Sequence, residues 1–519
     1  MHPFARFRGE LPSSLFPILV ALGLLGLLPS AASADVRLPA IFSDHLVLQA
    51  EAPVKVWGWA SPAEAVTVSI AGQTQATTAD AKGDWQVVLT PLPSSAVPVT
   101  LTVRGQNQIK IEDVLPGEVW LGSGQSNMEL RVKQAQNFAQ EQAGANWTQI
   151  RQFTVKRNAR PDAITEVDGQ WQVCSPATVG EFSAVLYFFG RELHRELQRP
   201  VGLINSSWGA TPIQTWMPLD AMKSYPGYAA FLAQRAREAA EWPEQEQKVL
   251  QSIRAWEAEA AKNPGAPRRP KPWNPGPPNA GQQMPAGTYQ GMIHGLTRFR
   301  LRGLLWYQGE NNAREGAAGA AEYADLSARL IAGWRAAWGQ PDLPFLFVQL
   351  PNFSEPRDTT GVSWAYFREA QARTLAIPHT DVAVTIDIGE PDFIHPRNKQ
   401  AVGHRLALLA LADIYQRDPA AHAPVFERFW IQDGAIHLAC KNAPGGLVAH
   451  GDQVTGFTIA GADRIWHPAT ARIEGDQLVL SSPAVTAPVA ARYGWANNPA
   501  CNLYNHADLP LAPFRTDSW

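Results

Sequence analysis

The sequence predicts an α/β protein with β-rich flanks, and three patterns predict it. Between about residues 116 and 415, short apolar strands alternate with helical stretches. That order argues for a parallel sheet covered by helices on both faces. Residues 35 to about 115 and 416 to 519 instead carry brief β-branched runs punctuated by turn residues, as in sandwich-like β structure.

The N-terminal β region is read from runs at 54–57, 66–70, 85–89 and 99–103, with Ala81-Lys82-Gly83-Asp84 as the turn before the third. Val119-Trp120-Leu121-Gly122 opens the central part as a buried-type strand running into a glycine turn. Runs at 201–205, 303–307, 345–350 and 382–386 repeat that pattern, separated by helical stretches such as 320–338 and 398–413. An insertion at about 218–290 interrupts the series. Within it Val249, Leu250, Ile253 and Trp256 lie at helical spacing, which predicts one or two helices over 228–262, broken near Pro243. The stretch 264–285 is proline-rich and irregular by composition. A surface excursion is the simpler reading of this insertion, and a rim over an active site is the alternative. Gly434, Gly445, Gly446, Gly451 and Gly461 punctuate the C-terminal β region.

The first 34 residues read as a secretory signal peptide. Arg6 and Arg8 precede an apolar run at 15–28, and Ala32-Ser33-Ala34 forms a small-residue cleavage site before Asp35. The run is too short to span a bilayer, so no stable membrane insertion is expected after cleavage, and the chain is expected to be secreted or periplasmic. The 519 residues suggest about three domains as a prior. Hydrophobic residues at 45% and charged residues at 18% fit a globular chain. The 44 basic and 47 acidic residues nearly balance, which argues against a nucleic-acid partner. Cys174, Cys440 and Cys501 allow at most one internal bridge. Either Cys440 pairs with Cys501 or all three are buried thiols.

Four polar turns, three of them glycine-bearing, follow four strand-like segments. The first is Gly122-Ser123-Gly124-Gln125-Ser126-Asn127-Met128, which opens a helix. A helix start offers free N–H groups and a partial positive charge, the place where a developing oxyanion is stabilised. Met128 excludes the Gly-x-Ser-x-Gly elbow, and the missing third glycine excludes a dinucleotide fingerprint. The second turn is Asn205-Ser206-Ser207-Trp208-Gly209-Ala210-Thr211, and the third is Trp306-Tyr307-Gln308-Gly309-Glu310-Asn311-Asn312. Both lie at strand ends, where parallel sheets bind ligands. The fourth is Asp392-Phe393-Ile394-His395-Pro396, whose carboxylate and imidazole are three residues apart. That spacing suits either a carboxylate-oriented base or an ordinary surface pair.

These residues resemble the secreted sialate O-acetylesterase family of SGNH-type hydrolases. The matching stretches are LGSGQSNMEL, INSSWGATPIQTWM, GMIHGLTRFRLRGLLWYQGENNA, FVQLPNF and DIGEPDFIHPRNKQAVGHRLA, with further matches near both ends. The resemblance implies a three-layer α/β/α SGNH-hydrolase-like domain with flanking β-sandwich regions. It also implies a serine carboxylic-ester hydrolase that removes acetyl groups from sugar hydroxyls through an acyl-serine. It assigns Ser126 as nucleophile, His395 as general base and Asp392 as triad acid, with Asp387 and Glu390 as rivals for the acid. Oxyanion donors would be the Ser126 and Gly209 N–H groups and the Asn311 amide, with Gln308 and Asn312 competing as amide donors and as substrate-binding candidates. The sequence departs from the family pattern at Ala210, where a second glycine is usual, and at Gln214 and Gln290. No cofactor or metal is expected. The expected partner is an acetylated carbohydrate: a sialic acid, or alternatively a plant glycan such as xylan or xyloglucan. A secreted glycan-binding protein with a dead centre is the alternative of another class. His294 and His404 read as structural, Glu310 as a holder of turn amides, and Trp208 and Trp306 as the indoles nearest the motifs.

Overall fold

The structure is a computed structural model that describes residues 35–519 except 263–270, 273, 275, 279, 315, 418–421 and 476. The expected signal peptide and part of the proline-rich stretch fall outside the described residues. Strand β1 (Gln108–Gly124) changes character along its length: exposed and half-buried positions dominate to Asp113, and every residue from Val114 onward is buried. Its first half pairs antiparallel with Val99–Arg104, which pairs in turn with Ala65–Ile70. Its second half lies at the centre of the parallel strands. One continuous strand therefore joins the N-terminal β region to the central sheet across residues 115 and 116.

The central strands are β2 (Ile150–Val155), β3 (Gly169–Val173), β4 (Val201–Ser207), β5 (Gly303–Tyr307), β6 (Phe345–Val348) and β7 (Thr380–Ala383). Their order is β7-β6-β5-β1-β4-β2-β3, within an eleven-stranded mixed sheet that includes N-terminal strands. Every neighbour pair along this order is parallel except β2–β3, an antiparallel edge. The sequence reading found five of these strands and missed β2 and β3. Polar residues in Ile-Arg-Gln-Phe-Thr-Val and Gly-Gln-Trp-Gln-Val hide them from an apolar-run search, yet all of β2 except Thr154 is buried.

Side chains alternate between two cores, as strand geometry requires. Along β5, Leu304 and Trp306 join one cluster while Leu305 and Tyr307 join the other. Helices α1 (Ser126–Glu129), α2 (Ala184–Leu197) and α3 (Tyr228–Lys262) come first in the chain. Helices α4 (Glu310–Ala313), α5 (Gly316–Trp338), α6 (Ser363–Ala372) and α7 (Lys399–Asp413) follow. Leu186, Phe189, Leu193, Val402 and Leu406 from α2 and α7 fill one core, and Leu330, Trp334, Trp364 and Phe367 from α5 and α6 fill the other. Each such side chain contributes about 1.5–3 kcal/mol by leaving water.

Pro243 does not break the helix expected over 228–262; α3 runs through it as one helix of 35 residues. Pro243 is exposed, so the carbonyl it leaves unbonded lies on the solvent side. The C-terminal region forms two four-stranded antiparallel sheets over a core that includes Ile436, Leu438, Ile459, Leu480 and Tyr493. It is tied to α6 through Asn497, which accepts the Trp364 N–H at 2.8 Å, and through an Arg515–Glu369 ion pair at 2.8 Å. All three cysteines are free thiols. No described helix is long and apolar enough to cross a membrane.

Candidate active site

Strands β4 and β5 flank β1 on opposite sides, so the loops after their carboxyl ends diverge and leave a crevice. Ser126 is the first residue of α1, directly beyond β1. The turn that delivers it needs glycine at 124: φ is +132°, and a Cβ there would lie 2.2 Å from the Tyr307 carbonyl oxygen. The Gln125 N–H donates to that same carbonyl at 3.0 Å. The Gln125 side-chain oxygen accepts from Gln308 Nε2 at 3.2 Å and from the Asn311 N–H at 3.3 Å. The Ser126 turn and the 306–312 turn are thereby fixed to each other.

His395 enters from the loop between β7 and α7. Its Nε2 lies 2.8 Å from Ser126 Oγ, across 269 residues of sequence. Burial, then Lys399 and Arg314, push its pKa down to about 4. The imidazole is therefore neutral near pH 7, the state in which its free ring nitrogen can accept a proton.

Asp392 is exposed, and its carboxylate makes no hydrogen bond or ion pair among the described residues. The chain folds tightly there, with the Phe393 N–H donating to the Glu390 carbonyl, and Asp392 is turned outward. Asp387 is held by Arg405 at 2.6 and 2.7 Å. Glu390 is held by Arg397, which lowers its pKa. The structure thus brings Ser126 and His395 together, and none of the three carboxylates hydrogen-bonds to the imidazole.

Among the oxyanion candidates, the Ser126 N–H opens its helix and has no intrahelical acceptor. The Gly209 turn lies against Ser126, but its N–H donates to Glu129 Oε2 at 2.9 Å. Glu129 is held in turn by Arg157 Nε at 2.6 Å. Asn311 lines the cleft, with Nδ2 donating to the Ala210 carbonyl at 3.0 Å. Two lobes of about 420 Å³ each meet at Ser126, Glu129, Arg157 and His395. Arg131, Lys133 and Arg397 line one lobe; Trp208, Asn311 and Arg314 line the other.

A model of the family described as carbohydrate esterase, sialic acid-specific acetylesterase matches residues 271–412. The sialate O-acetylesterase of Rattus norvegicus is 30% identical, covering 96% of this chain and 97% of its own length. This chain belongs to the sialate O-acetylesterase family. The Homo sapiens sialate O-acetylesterase is 29% identical over 93% of each chain. A crystal structure titled a novel carbohydrate acetylesterase from Xanthomonas citri superposes with a TM-score of 0.80 at 39% identity, covering 93% of this chain and 100% of that one.

Other residues named from the family pattern sit beneath the cleft rather than in it. Gln308 is buried and donates to the Thr211 carbonyl and to Asn312. Asn312 is buried, donating to Gln214 and accepting the Ile213 N–H. Gln214 and Gln290 are buried as well. Ala210 adopts φ +57°, a left-handed conformation that glycine adopts more readily, which suits the glycine expected there from the resemblance. His294 bonds the Ile164 carbonyl and His404 pairs with Glu192, both structural roles. Trp208 faces the cleft, whereas Trp306 is packed against Trp216 and Trp334.

Sequence reasoning assigned no role to Glu129, Asn127 or Lys399, although each lies inside a stretch that carried the family resemblance. It also missed Arg157, which stands in no motif.

Proposed function

We propose that this chain is a secreted carbohydrate O-acetylesterase that removes acetyl groups from sialic acids through an acyl-serine intermediate. The observation that carries the reading is the 2.8 Å approach of His395 Nε2 to Ser126 Oγ at the mouth of a cleft. Ser126 Oγ attacks the acetyl carbonyl as His395 Nε2 takes its proton. The tetrahedral oxyanion is met by the Ser126 N–H and the Asn311 amide. The Gly209 N–H joins them when the Glu129 carboxylate turns away. His395 then returns the proton to the departing sugar oxygen, and water attacks the acyl-serine to release acetate. Asp392 is the one carboxylate of the three not held by an arginine, so it is free to turn toward Nδ1 of His395. The two helix-packed cores about the parallel strands support an SGNH-type α/β/α arrangement.

Sialic acids are favoured over neutral sugars by charge. Five cationic side chains line the cleft. The Arg314 guanidinium has no ion pair or hydrogen bond among the described residues, so it is free to meet a sugar carboxylate. Acetate release from 9-O-acetyl sialic acid, beside acetylated xylan and xyloglucan oligosaccharides, tests the assignment. Release from the sialic acid is expected. Release from plant oligosaccharides alone keeps the chemistry and overturns the sugar. Glycan binding without any release overturns the reaction.

A further inference from the structure

Directly under the Ser126–His395 pair lies a cluster of buried charge that the chemistry above does not use. Lys399, the first residue of α7, is fully buried, and so is Asn127; Glu310 is only 2% exposed. Lys399 Nζ donates to Asn127 Oδ1 at 2.6 Å. Asn127 Nδ2 donates both to Glu310 Oε1 and, at 3.0 Å, to the Ile394 carbonyl. One amide therefore separates a buried ammonium from a buried carboxyl group. Lys399 also sits 5.0 Å above the Tyr307 ring, and Glu310 Oε2 has no hydrogen-bond partner among the described residues. Burial pushes Lys399 down to about 7 and raises Glu310.

Burying these groups is costly, and apolar residues would fill the volume more stably. Their connections are what distinguish them. Asn127 follows Ser126, Ile394 precedes His395, and Glu310 precedes Asn311. Every member of the relay is thus a chain neighbour of a group assigned to the reaction, or holds one that is. We propose that Lys399, Asn127 and Glu310 form a positioning relay that registers the nucleophile, base and oxyanion motifs on one another and places the Lys399 charge behind the His395 imidazole.

The inference rests on the Ser126–His395 reading and adds two roles to it. The first is geometric: loss of the Asn127 amide frees three loops at once, and displacement by about 1 Å costs on the order of 100-fold in rate. The second is electrostatic. The charged groups around His395 are Lys399 from α7, Arg314 after α4, Glu129 from α1, Arg131 and Lys133 just after α1, Arg157 beyond β2, and Glu390, Asp392 and Arg397 on its own loop. Lys399 and Arg314 are the two that act on it. Removing the Lys399 charge therefore raises the pH at which activity is lost to acid.

The test compares kcat, KM and the acid limb of kcat/KM for acetate release across wild type and four variants. Ser126→Ala comes first: if it retains activity, the underlying reading has failed and the relay has not been reached. With Ser126→Ala inactive, Lys399→Met and Asn127→Leu are expected to lose about 100-fold in kcat with little change in KM. Lys399→Met should also move the acid limb upward by about one pH unit. Lys399→Arg should restore the limb while recovering only part of kcat. If Lys399→Met does not fold, the charge-neutral pair Lys399→Met with Glu310→Gln is read the same way. A folded variant with wild-type kcat overturns the relay. So does a loss of kcat in Lys399→Met with the limb unmoved, which marks packing alone.

Discussion

Titrating activity downward from neutral pH separates this site from one with an ordinary histidine. His395 is held down to about 4 by burial and by Lys399 and Arg314, against an ordinary value of 6.5. A base is active when unprotonated, so activity should be present above the pKa and lost as pH falls through it. At pH 5 about 90% of the imidazole is neutral for a pKa of about 4, and about 3% for a value of 6.5. The expected ratio between the two cases at that pH is thus about 30-fold. The assay is kcat/KM for acetate release from pH 3.5 to 8, with circular dichroism at each pH to separate acid unfolding from titration. A limb centred between pH 6 and 7 in folded protein would refute the reasoning. It would mean that water, or Asp392 already turned to Nδ1 in the free enzyme, stabilises the imidazolium in solution.

Three other outcomes follow from the geometry. Asn311→Ala should lower kcat by about 100-fold, near 3 kcal/mol of barrier, with KM little changed; a fall in melting temperature with kcat intact would make Asn311 a holder of the Ala210 turn only. Gly124→Ala should destroy activity, because its Cβ would lie 2.2 Å from the Tyr307 carbonyl oxygen and Ser126 must shift; near-wild-type turnover would mean the turn has room to yield. Arg314→Gln should raise KM for an acetylated sialic acid about 10-fold at pH 7 and leave KM for neutral acetylated sugars alone. Equal effects on both sugars would place Arg314 outside carboxylate recognition.

What the sequence made legible was local. Ser126 was readable because a strand, a glycine turn and a helix start are all encoded within a few residues. The same holds for the turns at 205–211 and 306–312, which inherit their position from the strand before them. The Asp392–His395 spacing alone sets no geometry, because three residues in a loop fix no direction. The Glu390–Phe393 bond and the grip of Asn127 on Ile394 turn the histidine inward and the aspartate out. The Gly209 turn lies against Ser126, but its N–H partner Glu129 is 80 residues away and left no periodic trace. The Lys399–Asn127 contact spans 272 residues. A lysine at a helix start reads as a solvated charge until the fold buries it. Strands β2 and β3 were missed for a related reason: Arg151 is 3% exposed because Asp113 neutralises it, a pairing invisible to hydropathy.

The most direct test of the account is acetate release by purified Ser126→Ala beside wild type, each shown folded by circular dichroism and melting temperature. The account predicts that release falls to background while the fold and stability are unchanged. Release near the wild-type rate would contradict it and move the nucleophile elsewhere in the cleft.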